Sequence, residues 1–263
     1  MIDGKEIAKS KAEERQNKLN RIRRQRRNKL LVIIVIILAV VLGAYKLYNS
    51  GLFSVNKIEV SGNKFVTTAK IIDACKINQN SNILSISTRR LKDRIMKNPW
   101  IKDVTIRRAL FHTLKIEVVE RVPIVIISSN GKFYLVDDES FVIAERQYAD
   151  DLNIPSMTEL PVSEIKVGER IMNKSLENAI KCLKLMSPSL RKSITLLSAA
   201  SVDKLSLYNK DNIEILYGAA EQAEEKNKLL EAILKKEGRQ VIFIDVRNYP
   251  KSNPVLRRID SVP

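Results

Sequence analysis

Histidine is almost missing from this chain, with one residue, His112, among 263. That scarcity removes most Ser-His, Cys-His and multi-histidine metal sites, and His112, set between two predicted strands, reads as a solvated turn residue. Cysteine is nearly as scarce. Cys75 and Cys182 lie 107 positions apart, in no C-x-x-C pair, whereas an exported disulfide scaffold carries more cysteines at closer spacing. Both are expected to be unpaired and buried. Aromatic residues make up 5% of the chain against 44% hydrophobic residues overall, so Leu, Ile and Val must fill the cores. No G-x-G-x-x-G, P-loop or G-x-S-x-G motif occurs. Nor is there an internal repeat or a low-complexity segment. Asp137, Asp138 and Glu139 cluster at a predicted hairpin tip without the D-x-D-x-D-G spacing of a calcium loop, so they read as solvated carboxylates. Neither a metal nor a cofactor is implied.

Positive charge, in contrast, is abundant. The net charge is +16, and residues 1–29 hold 11 Lys/Arg against four Asp/Glu. A nucleic-acid reading needs a recognisable motif or aromatic interleaving, and this tail has neither. It abuts a long apolar run instead. Leu30 to Tyr45, LLVIIVIILAVVLGAY, is uncharged over sixteen residues. With Lys46 snorkelling, Leu47 and Tyr48 extend the span to the length that crosses a bilayer. Thirteen aliphatic residues without a break leave no polar face for a soluble core helix, and no A-x-A cleavage site follows. The run is therefore expected to be an uncleaved anchor over 30–48. Arg21, Arg23, Arg24, Arg26, Arg27 and Lys29 crowd its amino-terminal flank, which places 1–29 in the cytoplasm as a basic tail and the bulk outside. The same cluster suits weak contact with anionic lipid. Residues 1–20 are expected to be disordered or a frayed helix.

Beyond the anchor the hydrophobic period changes repeatedly. Strands are expected at 55–60, 101–107 and 113–119, with two helices between the first and second, capped by Thr67 or Thr68 and by Ser87 or Thr88. This β-α-α-β-β order packs as one α+β domain over 52–122. Further strands are expected at 124–128, 132–136, 140–144, 194–201, 204–208, 213–217 and 241–247. Helical spacing covers 176–186 and 219–236, and Gly238 caps the second. These elements suggest a second, mainly antiparallel β-domain with flanking helices over 123–249, and a tail at 250–263.

Specific residues then carry a resemblance. Val55 to Asn63, VNKIEVSGN, resembles the opening strand and turn of a POTRA domain. Asn98 to Pro123 is similar to the closing half of that domain in the FtsQ/DivIB cell-division family, through Pro99, Trp100, Ile101, Val104, Arg107, Thr113, Leu114, Ile116, Val118, Glu120, Arg121 and Pro123. Phe133 to Asp137 resembles the family's Y-L-V-D strand, and Ile244 to Arg247 its closing I-D-V-R. The sequence departs at His112, where the family often has Pro, at Ser140, where it often has Gly, and near Glu159, where a Gly is expected.

The resemblance implies a non-catalytic, single-pass scaffold of the cell-division septum in the cell membrane. Its extracytoplasmic region would bind FtsL-type and FtsB/DivIC-type proteins and help control septal peptidoglycan synthesis. It also implies contact through the last strand and the segment after it. Val241 to Arg247 is the expected sheet edge, with Ile244, Val246, Arg247, Asn248, Tyr249, Pro250 and Val255 as partner-binding residues and Tyr217 nearby. Arg89, Arg90 and Arg94 form a basic helix face, read first as solvated and second as a weak contact for anionic lipid or wall polymers. Two alternatives remain open. One is a membrane-tethered wall hydrolase using two of Asp137, Asp138 and Asp245. The other is a POTRA-containing envelope assembly or transport component.

Overall fold

The computed structural model describes residues 4–78, 81–109, 112–148 and 152–259, with the side chains of 4–23 and 25 outside that set. Contacts divide the chain into two compact units: Met1–Glu59 with Ile77–Ile86 and Arg108–Leu114, and Val60–Lys76 with Ser87–Arg107 and Lys115–Pro263.

The first unit opens on one continuous helix, α1 (Gly4–Tyr48). Helix therefore runs through the stretch expected to be disordered or frayed. Its segment Arg26–Tyr48 is 23 residues long and apolar enough to cross a membrane, spanning about 35 Å at 1.5 Å per residue. Leu30 through Leu42 expose their aliphatic side chains around the whole helix. This matches a lipid-facing span and no soluble core. Asn82 Nδ2 donates to the Tyr48 carbonyl (2.5 Å) at the helix end. Just beyond, Ile83 N donates to Phe53 O (2.7 Å) and Val55 N to Ser81 O (3.0 Å). His112 is exposed in a turn, and its carbonyl accepts from Asn56 N and Lys57 N.

A three-stranded sheet follows, built from β1 (Lys57–Ser61), β2 (Ile101–Ala109) and β3 (Thr113–Glu120) in the order β1-β3-β2. Between β1 and β2 lie α2 (Thr68–Cys75) and α3 (Thr88–Ile95). Thr67 caps the first and Ser87 the second by accepting from Lys70 N and Arg90 N. Ile71, Cys75, Leu91 and Ile95 supply the helices' buried stripes, and Leu114, Ile116 and Val118 the buried face of β3. In the turn after β1, Gly62 has φ +85°, and a Cβ there would meet the Val118 carbonyl oxygen at 2.1 Å. Only glycine fits that approach. Glu120 fixes the following loop, its carboxylate accepting from the N–H groups of Lys64 (2.8 Å), Phe65 (2.7 Å) and Val66 (2.8 Å).

The remainder is a nine-stranded sheet ordered β12-β11-β10-β9-β8-β7-β4-β5-β6. Its strands are β4 (Pro123–Ser129), β5 (Lys132–Asp137), β6 (Val142–Arg146), β7 (Ser156–Thr158), β8 (Ile194–Ala199), β9 (Leu205–Asn209), β10 (Glu214–Leu216), β11 (Val241–Asp245) and β12 (Val255–Arg258). Most pairs are antiparallel, while β4–β7, β7–β8 and β10–β11 are parallel. Helices α4 (Lys174–Lys184), α5 (Pro188–Ser193) and α6 (Ala223–Glu237) complete it. The three-residue β7, the short α5 and β12 were not anticipated from sequence.

The main core joins the apolar faces of these helices to alternate strand residues such as Val125, Ile127, Leu197, Leu207, Ile215 and Ile244. On β4 to β6 a second, smaller core holds Ile126, Leu135 and Ile143 with Trp100 packed against it. So β4 is covered on both faces, which is why its sequence is a run of apolar residues with no alternation. Cys75 and Cys182 are buried and free. Burial pushes the first thiol up to about 11, less the opposing effect of Arg94, and the second up to about 12. Both are therefore protonated and unreactive at neutral pH.

Candidate functional site: the carboxy-terminal sheet edge

The expected edge strand is not an edge. β11 runs between parallel β10 and antiparallel β12, so the sheet ends one strand later than the sequence suggested. Pro250 and Pro254 do stop β11 from extending, but the chain then turns and returns. Tyr249 N donates to Val246 O and Ser252 N to Asn248 O, the Tyr249–Pro250 bond is cis, and β12 pairs back with Val255 opposite Asp245 and Leu256 opposite Ile244.

This arrangement divides the expected contact residues into two sets. Ile244, Val246 and Tyr217 are buried, at 1% exposure or less, and belong to the core that holds the edge in place. Arg247, Asn248 and Pro250 are exposed, and Tyr249 is half-buried against the main core. Val255 is 61% exposed and Ile259, just past β12, 55%. Leu256 points the other way and packs on the core. Val255 and Ile259 thus stand, with Arg257, on the face of β12 away from the core, and β12 is the last strand among the described residues.

Three devices hold this end. Lys226 is 2% exposed, and its Nζ donates to the carbonyls of Tyr217 (3.0 Å), Ala219 (2.9 Å) and Arg247 (3.0 Å). It therefore fastens α6 to the ends of β10 and β11, and burial lowers its pKa. The Tyr217 hydroxyl donates to Asn227 Oδ1 (3.1 Å), and burial pushes its pKa up. Glu237, at the end of α6, accepts two hydrogen bonds from Arg258 (2.8 and 3.0 Å), and this pairing holds its carboxyl below the usual range. Sequence reasoning missed Lys226, although its spacing to Leu230 and Ile233 puts it on the apolar stripe of α6. It also missed β12, whose signal was the short V-L-R-R run after Pro254.

The opposite end of the sheet is built differently. Val142 N donates to Glu169 O (2.9 Å), Gly168 N to Val142 O (2.9 Å) and Ile171 N to Ser140 O (2.8 Å), so the segment 168–171 covers part of the β6 edge. Asp137, 1% exposed, accepts from Arg121 Nη1 (2.5 Å) and from the N–H groups of Glu139 (2.8 Å) and Phe141 (2.9 Å). The Arg121 guanidinium also lies 3.8 Å from the Phe141 ring centre. Ser140, where a glycine was expected, and Glu159, near which another was, have φ of +63° and +58°.

Asp137, Asp138 and Asp245 do not converge. Asp245 lies on β11 and Asp137 ends β5, six strand steps apart in the sheet, or about 29 Å at 4.8 Å per step. Asp138 is paired with Lys184 (3.1 Å) and Lys102 (3.6 Å). Burial raises its pKa, but the two lysines outweigh this and lower it overall. Asp245 is held low by Arg247, whose Nη2 lies 2.6 Å from Oδ2. Carboxylates pinned in the ionised form make poor general acids. Arg24, Arg26, Arg27 and Lys29 are exposed on α1, while the side chains of Arg21 and Arg23 lie outside the described set. Arg89 and Arg90 are also exposed, and Arg94 donates to the Cys75 carbonyl (2.9 Å).

A family model described as the FtsQ-type POTRA domain matches residues 53–121. A second, described as the C-terminal part of cell division protein FtsQ/DivIB, matches 125–247, ending before β12. The cell division protein DivIB of Clostridium tetani is 27% identical over 78% of this chain and 79% of its own length. DivIB of Clostridium acetobutylicum is 28% identical over 69% and 72%. FtsQ of a Geobacter species (strain M21) is 30% identical over 52% of each. The solved major extracytoplasmic domain of the trans isomer of DivIB from Geobacillus stearothermophilus covers 44% of this chain and 92% of its own, at 13% identity and a TM-score of 0.32. With two successive matches of one family type and relatives spanning most of both chains, this chain belongs to the FtsQ/DivIB family of cell-division proteins.

Proposed function

We propose that this chain is a non-catalytic, single-pass scaffold of the division septum. Its extracytoplasmic part binds FtsL-type and FtsB/DivIC-type single-pass proteins and so helps control septal peptidoglycan synthesis. The observation that carries the binding reading is that β12 ends the sheet with no further strand beside it among the described residues. A terminal strand presents backbone N–H and C=O groups on which a partner strand can pair, and Val255 and Ile259 beside it are exposed and apolar. The contact surface is therefore β12 with Arg247, Asn248, Tyr249 and Pro250, while Ile244, Val246 and Tyr217 support it from inside. The basic flank of the apolar helix supports a cytoplasmic amino terminus. The proposed division of the chain is a tail over 1–29, an anchor over 30–48, a POTRA domain over 52–122, a β-domain over 123–249 and a tail over 250–263 that contains β12.

The test replaces Val255 and Ile259 together by Asp in the full-length chain. Their exposure predicts a stability change within about 0.5 kcal/mol, at least tenfold weaker binding of the FtsB/DivIC-type partner, and filamentous cells. Undiminished partner binding would remove β12 as the contact.

A further inference from the structure

A cavity of about 630 Å³ opens where the connection between the two sheets meets the β-domain. Its volume lies in the range of ligand pockets. The apolar lining comes from Val122 and Ile124, on the connection and β4, and from Leu152 and Ile154. Basic side chains from separate elements also line it: Lys102 on β2, Lys184 at the end of α4, and Arg191 and Lys192 at the end of α5. Two of these are already neutralised. Lys102 pairs with Glu139 (2.9 Å) and Asp138, and Lys184 pairs with Asp138. The cavity's other carboxylate, Glu120, is committed to three backbone N–H groups. Among the described residues Arg191 and Lys192 make no ion pair, so the described part of the lining sets these two cations next to apolar wall.

We propose that this cavity is a second docking site, which takes an acidic peptide segment of a partner protein with an aliphatic side chain flanked by Asp or Glu. Charge complementarity chooses this occupant. A bare anion would leave the apolar wall unused, and an uncharged apolar chain would leave Arg191 and Lys192 unanswered. A segment joining both features meets the wall and the cations together, and the cations steer it in. The walls come from β2, β4 and α5, so an occupant would also fix how the connection at 119–123 sits against the β-domain.

Full-length chain in zwitterionic nanodiscs is titrated, by fluorescence polarisation, with labelled peptides of alternating Glu and Leu, alternating Lys and Leu, and alternating Glu and Ser. The Glu-Leu peptide is expected to bind, weakening as salt rises, with hydrogen-exchange protection at 119–124 and 152–155. The other two should bind at least tenfold more weakly. Lys192→Glu and the double variant Arg191→Glu with Lys192→Glu lie at the end of a short surface helix, and the double variant should cost the Glu-Leu peptide at least tenfold. The variant with Val255 and Ile259 replaced by Asp should bind this peptide as wild type does, which separates this site from the β12 edge. The proposal is overturned if the Glu-Leu peptide fails to bind at millimolar concentration or binds the charge-reversed variants equally well. It is equally overturned if vesicles of anionic lipid occupy the cavity and the peptide does not.

Discussion

The two ends of the nine-stranded sheet handle the same physical problem in opposite ways. Any terminal strand leaves backbone hydrogen-bonding groups without a strand partner. At the β6 end the chain covers part of that row with 168–171 and fixes the adjacent hairpin through the buried Arg121–Asp137 pair. At the β12 end no strand among the described residues covers that row, and the fixed interactions lie behind the edge, in the Lys226 clasp and the Glu237–Arg258 pair. For the proposed role of this edge, being held firmly from behind would leave little ordering to be done on binding. The four-residue length of β12 and its two arginines also limit indiscriminate pairing.

The largest expected effect lies at the closed end. Arg121→Ala leaves the Asp137 carboxylate buried without its cation and should destabilise the full chain in detergent by about 3–5 kcal/mol, measured by denaturant unfolding. A loss below about 1 kcal/mol would mean that the covering segment, and not the ion pair, closes this end. Next, Lys226→Met strips three carbonyls of their donor and should cost about 1–3 kcal/mol. Hydrogen exchange should quicken over 241–259 while 132–146 keeps its protection. Equal loosening at both ends would dissolve the contrast.

A smaller effect is expected at Ser140, buried with φ +63°. Ser140→Gly relieves the left-handed strain at some cost in unfolded-state entropy, for a net gain of about 0.5–1 kcal/mol at the closed end alone. The subtlest test is acid. Glu237 at the open end and Asp138 and Glu139 at the closed end all have lowered pKa values. Their stabilisation is complete above the unfolded carboxylate values near 4 and is lost as pH falls through the lower folded ones. Both ends should therefore loosen below about pH 4.

Much of the architecture was readable because it rests on local rules. Thr67 and Ser87 could be seen as caps, Gly238 as the stop after α6, and the strands of the smaller sheet as alternating runs. The motif residues Glu120 and Arg121 were legible as a resemblance but not as mechanics. Their partners, the N–H groups of 64–66 and Asp137, are remote in sequence or meaningful only once a hairpin has formed. The site was half legible. The sequence pointed to the carboxy-terminal end of the sheet, but β11 was taken for the edge because it read as the last strand, and β12 is short and carries two arginines.

The sequence alone determined the long apolar helix near the amino terminus, whose uninterrupted aliphatic surface suits a membrane span, and the alternation of strand and helix that makes two α+β regions. It also marked a turn after β1, while the approach of the Val118 carbonyl that makes Gly62 obligatory came only with the fold. Only the tertiary structure decided which strand ends the sheet, which of the expected contact residues face solvent, and where the charges are spent. Those outcomes depend on pairings between residues far apart in the chain. Lys226 is polar by composition and buried by circumstance, because three carbonyls from two strand ends and a loop converge on its ammonium group.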